Sequence, residues 1–439
     1  MKTIKLVILI FLCTTLSFAQ QTPAPKQSKP IAIIGATAHI GNGQVIPNSL
    51  IIFKDGKITS VVDATVVKTD LTGMDVIKAN GKQVYPGFIA PNSTLGLVEI
   101  DAVRATEDDD EIGDMNPNIR SIIAYNAESK VVESMRPNGV LLGQITPRGG
   151  RISGTSSVVQ FDAWNWEDAT VKVDDGIHMN WPNNFTRGRW WLGEDANLKP
   201  NDKYADQVNE VTSFFNESKA YAEGDKTIVN LPFKACEGLF DGSKTLYINV
   251  DDAKGITDAI NFSKANNIKH MVIVGGYEAL KVADLLKQNN IPVIVERLHS
   301  LPNNDDDDYD LPYKMASQLT NKGVLVALSA KGGMERMNTR NLPFYAGTAV
   351  TYGLDKEEAL KLITSNTAKI LGIDANYGTL EAGKSATLFI SEGDALDMRT
   401  NQLTQAFIDG RSVSLETHQT QLWHRYEDKY KAEGIYTKD

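Results

Sequence analysis

The chain has 439 residues, 55 of them acidic and 45 basic, so its formal charge is −10 and its pI lies near 5.3. That balance argues against a nucleic-acid-binding role, which needs a basic face against the phosphates. Beyond the N-terminus no stretch is long and apolar enough for a transmembrane helix, and the length suits two domains or one barrel with an addition.

Residues 1–19 read as a secretory signal peptide. Lys2 and Lys5 precede the apolar residues 6–12, and Ser17-Phe18-Ala19 supplies small residues for cleavage after Ala19. The expectation is export to the periplasm or beyond. Cys13 lies inside this segment, which leaves Cys236 alone and excludes an intramolecular disulfide. Residues 20–30, QQTPAPKQSKP, read as a disordered Pro-rich linker.

From 31 to 85 the pattern is short β, with SLIIFKDGKITSVV placing two apolar runs around an Asp-Gly turn. Residues 375–415 repeat it, in SATLFISEG and QAFIDGRSVSL. The two segments predict one discontinuous β-sandwich built from both chain ends. Between them, residues 86–374 alternate buried apolar strands (TLYINV, HMVIVGG, IPVIVE, GVLVALSA) with amphipathic helices, the mark of a parallel α/β unit. Periodicity leaves open whether that unit closes into a barrel. Residues 355–371 predict a helix pair with an acidic start, and the charged tail 416–439 a surface helix.

These residues resemble the amidohydrolase superfamily. DGKITSV and VIKANGKQVYPGFIAPN are similar to the passage from its small β domain into barrel strand one. GTAVTYGLDKEEALKLITSNTAKILGIDANYGTLEAGKSATLFI and IDGRSV are similar to its exit. HSLPNNDDDDYDLPYK and NTRNLPFYAGTA are closer to an exported, imidazolonepropionase-like branch. The resemblance implies a (β/α)8 TIM-like barrel with the split β-sandwich, and a mono- or dinuclear metal site, usually zinc, that hydrolyses amide or related C–N bonds.

Such a site takes a His-x-His pair from strand one, further histidines from strands five and six, and an Asp after strand eight as ligand and general base. Here the strand-one positions hold Asn92 and Thr94, with Ala90 in place of the usual Asp. Strand five offers Asn249, with Asp251 beside it. Strand six ends in Val274-Gly275-Gly276, and Lys331 stands where the Asp is expected. Neutral amides and hydroxyls are weak zinc ligands, and an ammonium repels a divalent cation. The expectation is therefore no metal and no other cofactor, with a cationic side chain in the volume the metal would fill.

Other constellations are open. Of six histidines, only His299 follows a strand and should face the mouth; His270 precedes one, at the opposite end. The Gly-rich PRGGRISG (147–154) lacks the Lys-Ser/Thr of a P-loop and reads as a tight turn between strands. EDDDE (107–111) and DDDD (305–308) read as solvated loops or as a negative rim for Ca2+. Five of the six tryptophans fall at 164, 166, 181, 190 and 191, either as the core of an insertion or as a stacking platform. Two functions follow. The first is a member without the metal centre that binds a small-molecule ligand or a partner, as a homo-oligomer or in assembly with an active relative. The alternative is an active C–N hydrolase working through His299, Asp251 and the acidic loops, which requires three of His299, Asp251, Glu128, Asp305 and Asp308 to converge.

Overall fold

The computed structural model describes residues 22–195 and 197–435; the expected signal peptide lies outside the described residues. Eight strands form one sheet in chain order: Phe88–Ser93, Val140–Ile145, Ile152–Gln160, Thr170–Asn180, Thr245–Val250, Met271–Gly275, Val293–Val295 and Val326–Leu328. They are called barrel strands one to eight below. The eighth returns against the first. Residues 362–363 bridge the two, accepting hydrogen bonds from the amides of Leu328 (3.1 Å) and Ile89 (2.9 Å).

Alternation along the strands sends one set of side chains inward. Ile89, Leu142, Val158, Tyr247, Val272, Val274, Ile294 and Ala327 pack together, and Ile370 and Leu371 of helix Ser365–Leu371 join the same cluster. Neighbours in sequence such as Phe88, Leu141, Ile248 and Ile273 belong instead to the larger outer core.

The regular (β/α)8 alternation expected from the resemblance breaks at strand three, which runs antiparallel to both neighbours. The cause is local: residues 146–151 are too few for the helical crossover that a parallel partner demands. They make a tight turn with Gly149 and Gly150 at φ 77° and 54°. All other neighbouring pairs in this sheet are parallel.

The two chain ends meet in a second eight-stranded sheet. Gln83–Pro86 pairs antiparallel with Leu388–Ser391 and so joins the early strands to the late ones. Ile33, Ile51, Phe53, Leu388 and Phe407 form its core. Both Asp-Gly turns are present, with Asp55 and Asp409 at φ 50° and 48°, a conformation Asp tolerates better than most residues.

Residues 22–30 are extended but not free, contrary to the disordered linker expected there. Pro23 is buried, Ala24 N–H donates to Asp162 Oδ2 (2.9 Å), and Gln27 Nε2 donates to Phe53 O (3.0 Å). Asp162, buried between Arg136 and Arg411 at 3.0 and 2.7 Å, supplies the anchor. The tail helix His418–Ala432 starts from a Thr417 capping box and buries none of its residues.

The tryptophans at 164, 181 and 191 do not share one environment. Trp181 is buried, donates to Tyr204 OH (3.0 Å) and packs on Phe262, whereas Trp164 and Trp191 are exposed. Their closeness in sequence is undone because strand four carries the chain through the barrel between residues 166 and 181.

Candidate functional site at the barrel mouth

Strand one ends in an irregular segment. Asn92 has φ 53°, and the pairing with strand two shifts register between Ala90 and Ser93. This turns residues 92–94 into the barrel end, where all three are buried. Asn92 N–H donates to Gln144 Oε1 (3.0 Å), and its Oδ1 and carbonyl each accept from Arg148 at 3.0 Å. Arg148 sits in the turn after strand two. Ser93 Oγ (2.7 Å), Thr94 N–H (3.1 Å) and Thr94 Oγ1 (2.9 Å) donate to the carboxylate of Glu335. Arg148 Nη2 reaches the same carboxylate at 3.4 Å. Arg336 donates to Thr94 Oγ1 (2.9 Å) and pairs with Asp101. The segment after strand eight is thereby tied to the end of strand one.

Lys331 follows strand eight. Its Nζ lies 3.1 Å from Asn249 Oδ1 on strand five and 2.7 Å from Glu296 Oε1 after strand seven. The Asn249 amide is oriented by its Nδ2, which donates to Met179 O (3.1 Å). Asp251, beside this pair, has its pKa raised by burial and by the charge of Glu296, against the opposing pull of Lys331. Glu296 and Lys331 wall two adjoining cavities. One, of about 130 Å3, also takes Asp251 and Tyr277; the other, of about 310 Å3, takes Thr94, Asp109, Arg148 and Arg336. Asp109 comes from the acidic run 107–111, its pKa raised by burial despite Arg148.

Below the mouth the barrel interior is polar on one side. Asp175, wholly buried, accepts from Gln144 Nε2 (2.8 Å), Ser156 Oγ (2.8 Å) and Tyr247 OH (2.9 Å). Burial raises its pKa while these bonds pull it back. His178 is also wholly buried and stacks on Tyr247, with ring centroids 4.5 Å apart. Its Nε2 lies 3.1 Å from Ser156 Oγ. The Ser156 proton is taken by Asp175, so Nε2–H of the imidazole is the donor and Nδ1 carries the lone pair. No group among the described residues bonds that Nδ1. Burial first, then Arg148 and Lys331, push the imidazole pKa well below its ordinary value.

Of the candidates named from sequence, Asn92, Thr94, Asn249, Asp251 and Lys331 gather at this mouth. His299 does not. Its Nε2 bonds Thr348 Oγ1 (2.7 Å), and its ring lies against Tyr313 and Tyr345; the helix Leu342–Thr351 holds it to one side. The acidic run 305–308 is engaged locally, Asp307 by Tyr277 OH (2.6 Å) and Asp308 by Lys314. Among the described residues no three His, Cys, Asp or Glu side chains form a group able to hold a metal, so the convergence required for hydrolysis through His299 is not formed. Arg148, His178, Glu296 and Glu335 escaped the sequence reading. Arg148 and Glu296 were within reach, because a residue just after a barrel strand that runs towards the mouth lies there; His178 and Glu335 depend on register and loop path.

A model described as the amidohydrolase family matches residues 310–414. An amidohydrolase from Thermotoga maritima MSB8 has a similar crystal structure, at 23% identity and a TM-score of 0.75, covering 88% of this chain and 99% of that one. A Xaa-Pro dipeptidase with bound methionine matches at 14% identity and a TM-score of 0.53, over 88% of this chain and 100% of its own. Molinate hydrolase matches at 14% and 0.51, over 90% and 95%. No curated protein sequence matches the chain. The chain thus has an amidohydrolase-type fold, with an amidohydrolase-family segment at residues 310–414.

Proposed function

We propose that this chain is an exported member of the amidohydrolase superfamily whose barrel mouth holds a lysine-centred ion network instead of a metal, and which binds a small ligand or a partner chain without hydrolysing it. The observation that carries the reading is Lys331, anchored at once to Asn249 and Glu296. The donor set does not suit zinc. His178 is the one imidazole in the barrel interior among the described residues, and Glu335 is already saturated by Ser93, Thr94 and Arg148. A divalent ion 4 Å from the Lys331 ammonium would be repelled by about 8 kcal/mol at an effective dielectric of 20.

Neutral and cationic groups of this kind suit recognition. The two adjoining cavities offer paired charges of both signs to a polar ligand, and their walls are pre-formed by hydrogen bonds from four strands. Export rests on Lys2, Lys5 and the apolar run behind them; among the described residues no helix is long and apolar enough to cross a membrane. Assembly with itself or with an active relative is the partner role that a barrel of this type would serve.

The test is metal content. The chain beginning at Gln20, purified without chelators or a His-tag, should carry far less than one equivalent of transition metal by mass spectrometry, even after incubation with zinc or manganese. The combined Asn92→His, Thr94→His and Lys331→Asp variant should gain zinc. A stoichiometric metal in the parent chain would sink the proposal and restore C–N hydrolysis as the working reading.

A further inference from the structure

The opposite end of the barrel carries a second site. A cavity of about 400 Å3 opens there, walled by the starts of strands five and six and by the helices that precede and follow them. It receives Lys172, Lys264, Lys269, His270 and Lys369, and among the described residues no Asp or Glu lines it. In a chain of net charge −10, such a one-signed enclosure is the reverse of what chance placement supplies. Lys172 is fixed, its Nζ donating to Leu371 O (2.9 Å). Lys264, Lys269 and Lys369 are exposed and enter no ion pair among the described residues.

A second, independent observation comes from Ser263 in the cavity wall. It is 3% exposed, yet its Oγ has no hydrogen-bond partner. A buried hydroxyl without a partner is costly, and a rotation of the Ser263 side chain would offer its proton to an acceptor held in the basic cavity this residue lines. Gly242, at φ 90°, a conformation that favours glycine, turns the chain in the wall beside His270 and Lys269.

We propose that this cavity binds an oxyanion carrying two or more negative charges, of the phosphate-ester or pyrophosphate class, with Ser263 Oγ–H and the amines of Lys172, Lys264, Lys269 and Lys369 as its donors. Like charges crowded around one cavity repel, and a multivalent anion relieves that repulsion while satisfying Ser263. The site is independent of the barrel mouth, where the chemistry of such barrels is placed, and so binds without transforming.

Calorimetric titration of the full mature chain with inorganic pyrophosphate tests it, alongside co-sedimentation with phosphatidic acid and phosphatidylcholine vesicles. Saturable pyrophosphate binding is expected. The Lys269→Gln/Lys369→Gln pair should weaken it about tenfold or more, as the loss of two charge-assisted contacts implies, and Ser263→Ala by a few-fold. A Lys54→Gln/Lys68→Gln pair of equal net charge should bind as the parent does. All these lysines are exposed, so thermal melts should confirm that the variants fold. Binding to phosphatidic acid vesicles alone, lost in the Lys269/Lys369 pair, would assign the same recognition to a lipid headgroup. No binding to either probe, or equal weakening by the control pair, would overturn the proposal.

Discussion

Glu335→Ala removes the group on which the mouth converges. The Glu335 side chain is 8% exposed and takes three short hydrogen bonds from Ser93 and Thr94, besides the contact with Arg148. Breaking a buried, hydrogen-bonded ion pair from one side costs about 3–5 kcal/mol, because the remaining partners stay desolvated. The Arg148 side chain is 24% exposed, so water recovers part of its solvation and the lower end, about 3 kcal/mol, applies. Glu335→Gln keeps the volume and one acceptor but loses the charge, and should cost about half as much. In an Arg148→Met background the same alanine change should cost less, since no cation is left stranded. Equilibrium urea denaturation followed by tryptophan fluorescence reads these differences. A loss below about 1 kcal/mol for Glu335→Ala, the value of an ordinary surface pair, would refute the view that this carboxylate ties strand one to the segment after strand eight.

Two further outcomes follow from buried groups. His178 has its pKa depressed in the fold by burial, Arg148 and Lys331, so its contribution is complete above the unfolded value near 6.5 and is lost as pH falls below it. The unfolded chain then takes up a proton that the native state refuses, at up to about 1.4 kcal/mol per pH unit. His178→Gln should flatten the stability profile on the acid side of about pH 6.5; urea midpoints falling in parallel for both proteins would contradict this. Cys236 is buried, and its thiol pKa is pushed up to about 12, so an aromatic disulfide reagent should leave it unlabelled in native buffer and label it in urea. Rapid labelling of the folded chain would show that helix Leu231–Asp241 opens locally.

Much of the architecture was legible because it is written locally. The Asp-Gly turns at 55–56 and 409–410, the period-two runs beside them and the helix pair at 356–371 follow from residue preferences within a few positions. The placement of Asn92, Thr94, Asn249 and Lys331 at one barrel end was legible too, because a residue at the C-terminal end of a parallel strand has only one end to occupy. What the short glycine-rich turn at 147–151 implied went unread: a turn was expected there, but not a barrel strand running backwards, which places Ser156 and His178 side by side.

Convergence was decided by tertiary structure alone. Glu335 meets Ser93 and Thr94 across 242 and 241 residues of chain, His299 is drawn aside by Thr348 and two tyrosines, and Trp164 and Trp181 are parted by the strand that runs between them. The sequence by itself determined strands five to eight, the Asp-Gly turns and the helix pair at 356–371, and that Asn, Thr and Lys stand where the resemblance expects metal ligands. Which charges face one another depended on strand register, on the path of the loops and on how the barrel closes. Those are set by the packing energy of the whole core, and no window of a dozen residues contains it.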